Sequence, residues 1–553
     1  MIKLSNISLH FLEPDEKNFD LISEKQKKLH EIILNSSNDV ASPRMKIDPM
    51  FRYGEKLEKE SIPFNGLDDD MIYSLVSKAF EGVIKFHHPN TLFNITPPTS
   101  LDAIAVSTVT NLYNPNILWD INSGNMVLFE RYVVKYLCDL AGFDYKTADG
   151  ISCFGGKATM IYAIKQGLEN IDKHTKDDGA KDDYVVITSK ACHYTIESVC
   201  DLLGLGRKSC IRVSCDENEN MRLDDFEHVL GKCIVDGKKI ACIILAGGGT
   251  LDLNVDNIPM VIEIVKKICL KHNLQYVPHI HLDSVIGWAW LFYKNYDFEK
   301  NELLISASAL NKLMLVNKKI MNVNLVDSFG VDLHKMGFCP YSSSFFITKK
   351  SLGNQDKFNQ SYGDNQVYTY SIENSRSGTG ILSAWVTLNQ LGINGFREYL
   401  AYIMEVSEYL KRQISVKYSN DFQIINDFSA GPCIMVKPHY KGQGSDFYEL
   451  LSHDQSIRDD YNCYCEKFYK YAFYKLSKEK QNYPLIGFLS NYRKRTIGSD
   501  LSALRLFPMS LFLDESLCDR ILDGLLKMKT EFEQSYLHSN ESDTISIHEH
   551  QPR

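Results

Sequence analysis

A lysine, an aspartate and a paired glycine are the residues of this chain whose types and order suggest chemistry. Lys335 lies in Asp332-Leu333-His334-Lys335-Met336-Gly337, Asp283 ends the apolar run His279-Ile280-His281-Leu282-Asp283, and Gly155-Gly156 precedes an apolar segment far upstream. A lysine amine adds to an aldehyde only if part of its population is unprotonated, so burial and neighbouring groups are expected to lower the pKa of Lys335. A carboxylate ending a buried strand is costly unless it meets a cation. Asp283 therefore suits a protonated ring nitrogen, and it suits a helix N-cap as well. Amides bared by a glycine turn at a helix start bind phosphate, although a double glycine is often only a tight connection.

Other residues could join this set. His193, after the apolar run at 184–188, offers a flat imidazole that can stack on a ring or relay a proton, and it could also be a surface histidine. Thr250, in a glycine-rich loop after the run at 240–246, could hydrogen-bond a ligand oxygen or support Asp283. Arg376 and Arg505 carry the paired-donor fork that anchors carboxylates, and domain packing is the alternative for each. His279, His281 and Asp283 alternate onto one strand face and could begin a metal site, but no further ligand set follows, and no metal is expected.

These residues need elements to position them. Short β-branched runs at 184–188, 210–214, 240–246 and 277–283, with a helical pattern at 261–274 between the last two, predict strands separated by helices. Such runs imply a mostly parallel sheet covered on both faces, an α/β architecture in which ligands collect at the carboxyl ends of strands. Helical spacing recurs at 127–143 and 158–171, the second directly after the glycine turn. After residue 390 the pattern changes to a helix at 400–414 and strands at 422–427, 432–438 and 502–508. The expected division is an N-terminal arm over 1–100, a large domain over 101–389, a small α+β domain over 390–535 and a disordered tail over 536–553.

Composition narrows the class. The chain has 553 residues, 44% hydrophobic and 24% charged, which suits a large globular domain with one or two smaller ones. Its 61 basic and 70 acidic residues are interspersed, without the basic stripe a nucleic-acid partner requires. No apolar run reaches the roughly 18 residues of a membrane span, and Pro14, Asp15 and Glu16 interrupt the start. The 14 cysteines are dispersed without a Cys-x-x-Cys pair, as expected of reduced thiols in a cytoplasmic protein.

Taken in order, the segments from about His87 to beyond Gly395 resemble the pyridoxal-phosphate-dependent amino-acid decarboxylases of the glutamate, aromatic amino acid and tyrosine type. The stretch Asp332 to Phe346 is similar to the Schiff-base segment of the bacterial tyrosine and glutamate decarboxylase branch. The resemblance implies the aspartate aminotransferase-like fold (fold type I), pyridoxal 5'-phosphate as cofactor, an amino-acid substrate and a homodimer. It implies Lys335 as the Schiff-base lysine, Asp283 as partner of the pyridine nitrogen, His193 as the ring-stacking histidine, and Gly155 and Gly156 at the phosphate. Thr250 matches the second threonine of a Gly-Thr-Thr motif, His334 precedes the lysine as in the family, and Lys157 and Ser284 fall in the same cofactor-binding set. Tyr341 matches a tyrosine implicated in protonating the product carbanion, a role for which Tyr362, Tyr368 and Tyr370 compete.

The chain also departs from the family pattern. Where the family has Ser-Gly-Gly-Ser-Glu-Ala-Asn, this sequence reads Cys153-Phe154-Gly155-Gly156-Lys157-Ala158-Thr159, which places an extra charge beside the phosphate turn. Gly249 stands for the first threonine of Gly-Thr-Thr, and Asn254 for a small residue before Asp256. The expected reaction is decarboxylation of an L-amino acid of aromatic or acidic type. A carbon-carbon lyase related to sphingosine-phosphate lyase and a non-catalytic relative are the competing expectations.

Overall fold

The computed structural model describes residues 10–37, 42–46, 57–58, 60–180, 183–353, 363–364, 366–440, 451, 453–478, 483–492 and 501–538. Among them the chain forms two compact units, each gathered from separated segments. One draws on 1–91, 467–485 and residues from 521 onward, the other on 92–466 and 486–520. Tyr362 and residues 539–553 of the expected tail lie outside the described residues.

In the first unit, α1 (Asp20–Ser37) and α2 (Asp69–Ala79) are joined by the ion pairs Lys25–Asp69 and Lys28–Asp70, each at 2.5 Å. The Arg44 guanidinium lies 3.9 Å from the ring centre of Phe473, and the Tyr483 hydroxyl donates to Glu531 at 3.1 Å. Residues from opposite ends of the chain therefore share this unit.

The second unit carries the candidate residues. Its elements, following β1 (Thr91–Leu92), begin with α3 (Leu101–Tyr113), α4 (Met126–Ala141), β2 (Asp149–Cys153), α5 (Gly156–Ile171), β3 (Tyr184–Ser189), α6 (Ile196–Leu202) and β4 (Cys210–Val213). There follow α7 (Leu223–Val235), β5 (Lys239–Ala246), α8 (Ile258–Lys271), β6 (His279–Asp283), α9 (Ala307–Ile320), β7 (Ser328–Asp332), α10 (Leu333–Met336) and β8 (Ser344–Thr348). After the long α11 (Thr379–Val416) come β9 (Phe422–Ile424), β10 (Ile434–Pro438), β11 (Leu485–Tyr492) and β12 (Leu501–Leu506).

Seven strands form one sheet in the order β2–β8–β7–β6–β5–β3–β4. The run β4–β3–β5–β6–β7 is parallel, and β8 is antiparallel to both of its neighbours. β3 is buried throughout and β5 at every position but the first, as a strand covered on both faces must be. The expected α/β, mostly parallel architecture is therefore the observed one. The second sheet, in the order β1–β11–β12–β10–β9, is antiparallel where β12 meets β10 and β11 and where β10 meets β9.

The helix expected at 261–274 starts earlier, at Ile258. Asn257 accepts from the amide of Met260 at 3.3 Å, and Pro259 sits in the first turn, where its missing N–H costs nothing. Strands β2, β7 and β8 were not anticipated, because Gly, Ser and Asp dilute the apolar run in the first two and β8 hides in a serine-rich segment.

Register brings the candidates together. Ala246 of β5 pairs with Asp283 of β6, and Leu282 pairs with Phe329 of β7, two positions short of the residue preceding Asp332. The carboxyl ends of β3, β5, β6 and β7 thus share one edge of the sheet.

Arg376 serves packing. Its guanidinium pairs with Glu130 of α4 and donates to the Ser152 hydroxyl at 2.5 Å and the Ile117 carbonyl at 3.0 Å, and Arg376 is 6% exposed. Removing one member of a buried pair strands the other. Arg376→Met is expected to cost about 3–5 kcal/mol in chemical denaturation, with part of the loss recovered in the double substitution with Glu130→Met. A cost below about 1 kcal/mol would mean that the pair is not structural.

Candidate active site

The loops following β3, β5, β6 and β7 enclose a cavity of about 400 Å³, and His193, Thr250, Asp283, Lys335 and Tyr341 all line it. Lys335 is presented by α10, the single turn after β7, with its Nζ 2.9 Å from Asp332 Oδ2. Asp332 Oδ1 accepts from the Ser344 hydroxyl at 2.6 Å. Burial opposes the charged form of Lys335, but Asp332, and then Asp283, outweigh it, so the amine is raised above its ordinary pKa. This corrects the expectation of a lowered value: two carboxylates on neighbouring strand ends hold the proton on. Asp332 is in turn held below the usual carboxylate range, because Lys335, His334 and Ser344 together overcome its burial.

Asp283 lacks such support. Its Oδ1 is shielded from solvent and has no hydrogen-bond partner, and burial raises its pKa to about 6 against the opposing field of Lys335. A shielded carboxylate oxygen beside a cavity is a position that calls for a cation or a donor. His279 and His281, on the same strand, turn elsewhere: Nε2 of one and Nδ1 of the other meet Ser328 Oγ at 2.7 and 2.8 Å. Burial pushes His279 down to about 4 and lowers His281 as well. Among the described residues no group of three or more His, Cys, Asp or Glu side chains could hold a metal ion.

The glycine turn abuts this charge set. Gly155 caps α5 at φ +155°, and a Cβ on Gly156 would come within 2.9 Å of Val285 Cγ1 and 3.3 Å of Asp332 Oδ2. At the start of α5 the Ala158 amide donates to the Gly155 carbonyl at 2.9 Å, and the amides ahead of it are of the kind that a helix N-terminus offers to an anion. Beside them the Phe154 amide donates to Glu373 at 3.2 Å. Lys157 and Ser284 are used to hold elements together, the first donating to Ser198 of α6 at 2.7 Å and the second to the Gly330 carbonyl at 2.9 Å. His334 is buried behind Tyr341, with ring centres 4.2 Å apart and its Nδ1 3.1 Å from the Ser343 carbonyl. Burial lowers its pKa.

The loop carrying His193 is fixed by a residue the sequence did not single out. Arg212 donates to the carbonyls of Ser189, Cys192 and His193 at 2.8, 3.0 and 3.0 Å while pairing with Glu197 at 2.7 Å. His193 Nδ1 itself lies 2.8 Å from Thr195 Oγ1. Tyr368 and Tyr370 do not line the cavity, whereas Tyr341, 65% exposed, does.

Another wall of the cavity includes Arg505, Asp252, Glu219 and Tyr492, with the Tyr492 hydroxyl donating to Asp252 at 2.9 Å. Sequence reasoning reached only Arg505 among these. Asp332 was missed too, although its place three residues before Lys335 was a usable signal.

The two motif departures in this wall are physically coupled. A Cβ on Gly249 would lie 2.1 Å from Asn254 Oδ1, while Asn254 Nδ2 donates to the Glu219 carbonyl at 2.8 Å. Glycine at 249 is thus what admits asparagine at 254.

Comparison with known proteins defines the class. Residues 53–435 match the pyridoxal-dependent decarboxylase conserved domain, and the chain belongs to that family of pyridoxal-phosphate-dependent amino-acid decarboxylases. It is 21% identical over 387 residues to an acidic amino acid decarboxylase of Xenopus tropicalis, spanning 67% of this chain and 69% of that protein. An L-2,4-diaminobutyrate decarboxylase of Acinetobacter baumannii is also 21% identical, over 59% of this chain and 64% of its own. The fold matches apo mouse CSAD with a TM-score of 0.73 at 17% identity, covering 92% of this chain and 99% of that one. It also matches Oryza sativa TDC with PLP and tryptamine, with a TM-score of 0.72 at 12% identity over 94% and 99% of the chains.

Two predictions follow from the geometry. Because the pKa of Asp283 rises from an ordinary 3.8 to about 6, the folded state binds this proton more tightly than the unfolded chain, and stability from this group is lost as pH rises from about 4 to 6. Asp283→Asn in cofactor-free protein is therefore expected to gain about 2 kcal/mol on the parent between pH 4 and pH 7 in denaturation; a difference independent of pH would contradict the assignment. For the coupled pair, Gly249→Thr alone should destabilise and Asn254→Gly should relieve it, with a coupling of about 1 kcal/mol or more in a double-mutant cycle. Additive effects would show that the two positions are independent.

Proposed function

We propose that this chain decarboxylates an L-amino acid of the acidic or aromatic type, with Lys335 carrying the cofactor. The observation that supports this reading best is that Asp283 and Lys335 line one cavity at the carboxyl ends of parallel strands, with Asp332 2.9 Å from the lysine Nζ. The residues fit pyridoxal phosphate: Asp283 Oδ1 would accept from its ring nitrogen, the α5 amides at Gly155 and Gly156 would hold its phosphate, and His193 would stack on its ring. When bound, pyridoxal phosphate supplies an electron sink for the pair left behind as the carboxyl group departs.

The chain's own residues supply the rest. Asp283 raises the pKa of Lys335 through space, so engaging Asp283 with a cation offsets that field and favours release of the lysine's proton. Asp332 stays in hydrogen-bond contact and keeps Nζ in place. Arg505 is the candidate anchor for a substrate carboxylate. Tyr341 and His193 are the candidate donors of the proton that replaces carbon dioxide at the α-carbon. The homodimer implied by the family resemblance belongs to the same proposal and is checked by light scattering in solution.

Adding pyridoxal phosphate to the purified chain is expected to give a visible absorbance band that Lys335→Ala abolishes. The loaded protein should then release carbon dioxide from at least one acidic or aromatic amino acid, at a rate that falls at least a hundredfold in Lys335→Ala. A parent protein that shows no band would overturn the reading.

A further inference from the structure

A second pocket in the same unit, about 700 Å³, shares no lining residue with the cofactor cavity. Lys411 of α11 lies at its floor, 4% exposed, with an Nζ that makes no hydrogen bond and stands 3.5 Å from Glu408 Oε1. Glu408 is already engaged, by Lys312 at 2.6 Å and by the Ser308 hydroxyl on its other oxygen. Two lysines thus share Glu408, while Glu405, a further lining carboxylate, is taken up by the Ser306 amide and hydroxyl, so that Lys411 has no hydrogen-bond acceptor of its own. Burial, then Lys312, push the Lys411 amine down to about 8, the direction expected of an ammonium short of negative partners.

The rim has the opposite character. Asp427, Asp514 and Glu515 line the pocket and are exposed. Arg412 adds one cation, with its guanidinium 5.2 Å from the ring centre of Tyr409. A simple anion drawn to Lys411 would have to pass three carboxylates, and a simple amine held at the rim would leave Lys411 unmet. A molecule carrying both charges meets both demands.

We propose that this pocket binds a zwitterionic amino acid, with its carboxylate on Lys411 and its ammonium at the rim formed by Asp427, Asp514 and Glu515. The site uses no residue of the cofactor cavity and does not depend on the proposed reaction.

Isothermal titration calorimetry on the full chain tests it, with glycine and 4-aminobutyrate as zwitterions of two charge separations and butyrate and butylamine as single-charge controls. At least one zwitterion is expected to bind tenfold or more tightly than either control, and to keep its affinity in Lys335→Ala. Lys411→Met should abolish that binding. Asp427→Lys, on the exposed rim where folding is not at stake, should weaken the zwitterion and strengthen butyrate. Equal binding of butyrate and the zwitterions, affinity indifferent to both Lys411→Met and Asp427→Lys, or no binding of either zwitterion would each overturn the proposal.

Discussion

Two carboxylates and one lysine occupy the carboxyl edge of the large sheet, and the arrangement of the cavity follows from keeping those three charges together away from water. Asp332 is satisfied twice, by Lys335 at 2.9 Å and by Ser344 at 2.6 Å, with the His334 imidazole 3.5 Å away. Asp283 receives the field of Lys335 and a backbone hydrogen bond from Val285, which do not offset its burial, and its Oδ1 is left without a partner. Fully ionised, the set is one negative charge in excess, and a cation on Asp283 completes it.

The sheet makes this possible at tolerable cost. Parallel strands place their carboxyl ends side by side, so Asp283 and Asp332 arrive on one edge without either strand having to bend. The start of α5 is seated against the same edge only because position 156 carries no Cβ. Its helix dipole adds positive potential where a phosphate would lie and, at the same place, beside Asp332.

Much of this could be read from the residues. His193 and Thr250 follow apolar runs and Asp283 ends one, and all three reach the cavity together with Lys335, which the motif around it marks although its strand does not. What could not be read is through-space. The direction of the Lys335 pKa depends on carboxylates at the ends of two different strands, and burial considered alone gives the opposite sign. Arg376 and Arg505 are equivalent in sequence, yet Glu130 and Ser152 claim the first while the second lines the cavity. Arg212 escaped notice because its three acceptors are backbone carbonyls, which carry no residue identity at all.

Gly249 and Asn254 together shape one stretch of the cavity lining. Asn254 fills space that a side chain at 249 would need, and its amide grips the carbonyl of Glu219, a residue at φ 61° that lines the cavity. A left-handed, non-glycine residue is held only where its surroundings determine it, and here they are the Asp216–Asn220 turn, in which the Glu219 amide donates to the Asp216 carbonyl at 3.1 Å, together with Asn254. The two departures therefore act together on the stretch of cavity lining that holds Gly249, Asn254 and Glu219. Lys335 and Asp283 line the same cavity from the ends of other strands and touch neither Gly249 nor Asn254 through any hydrogen bond described above.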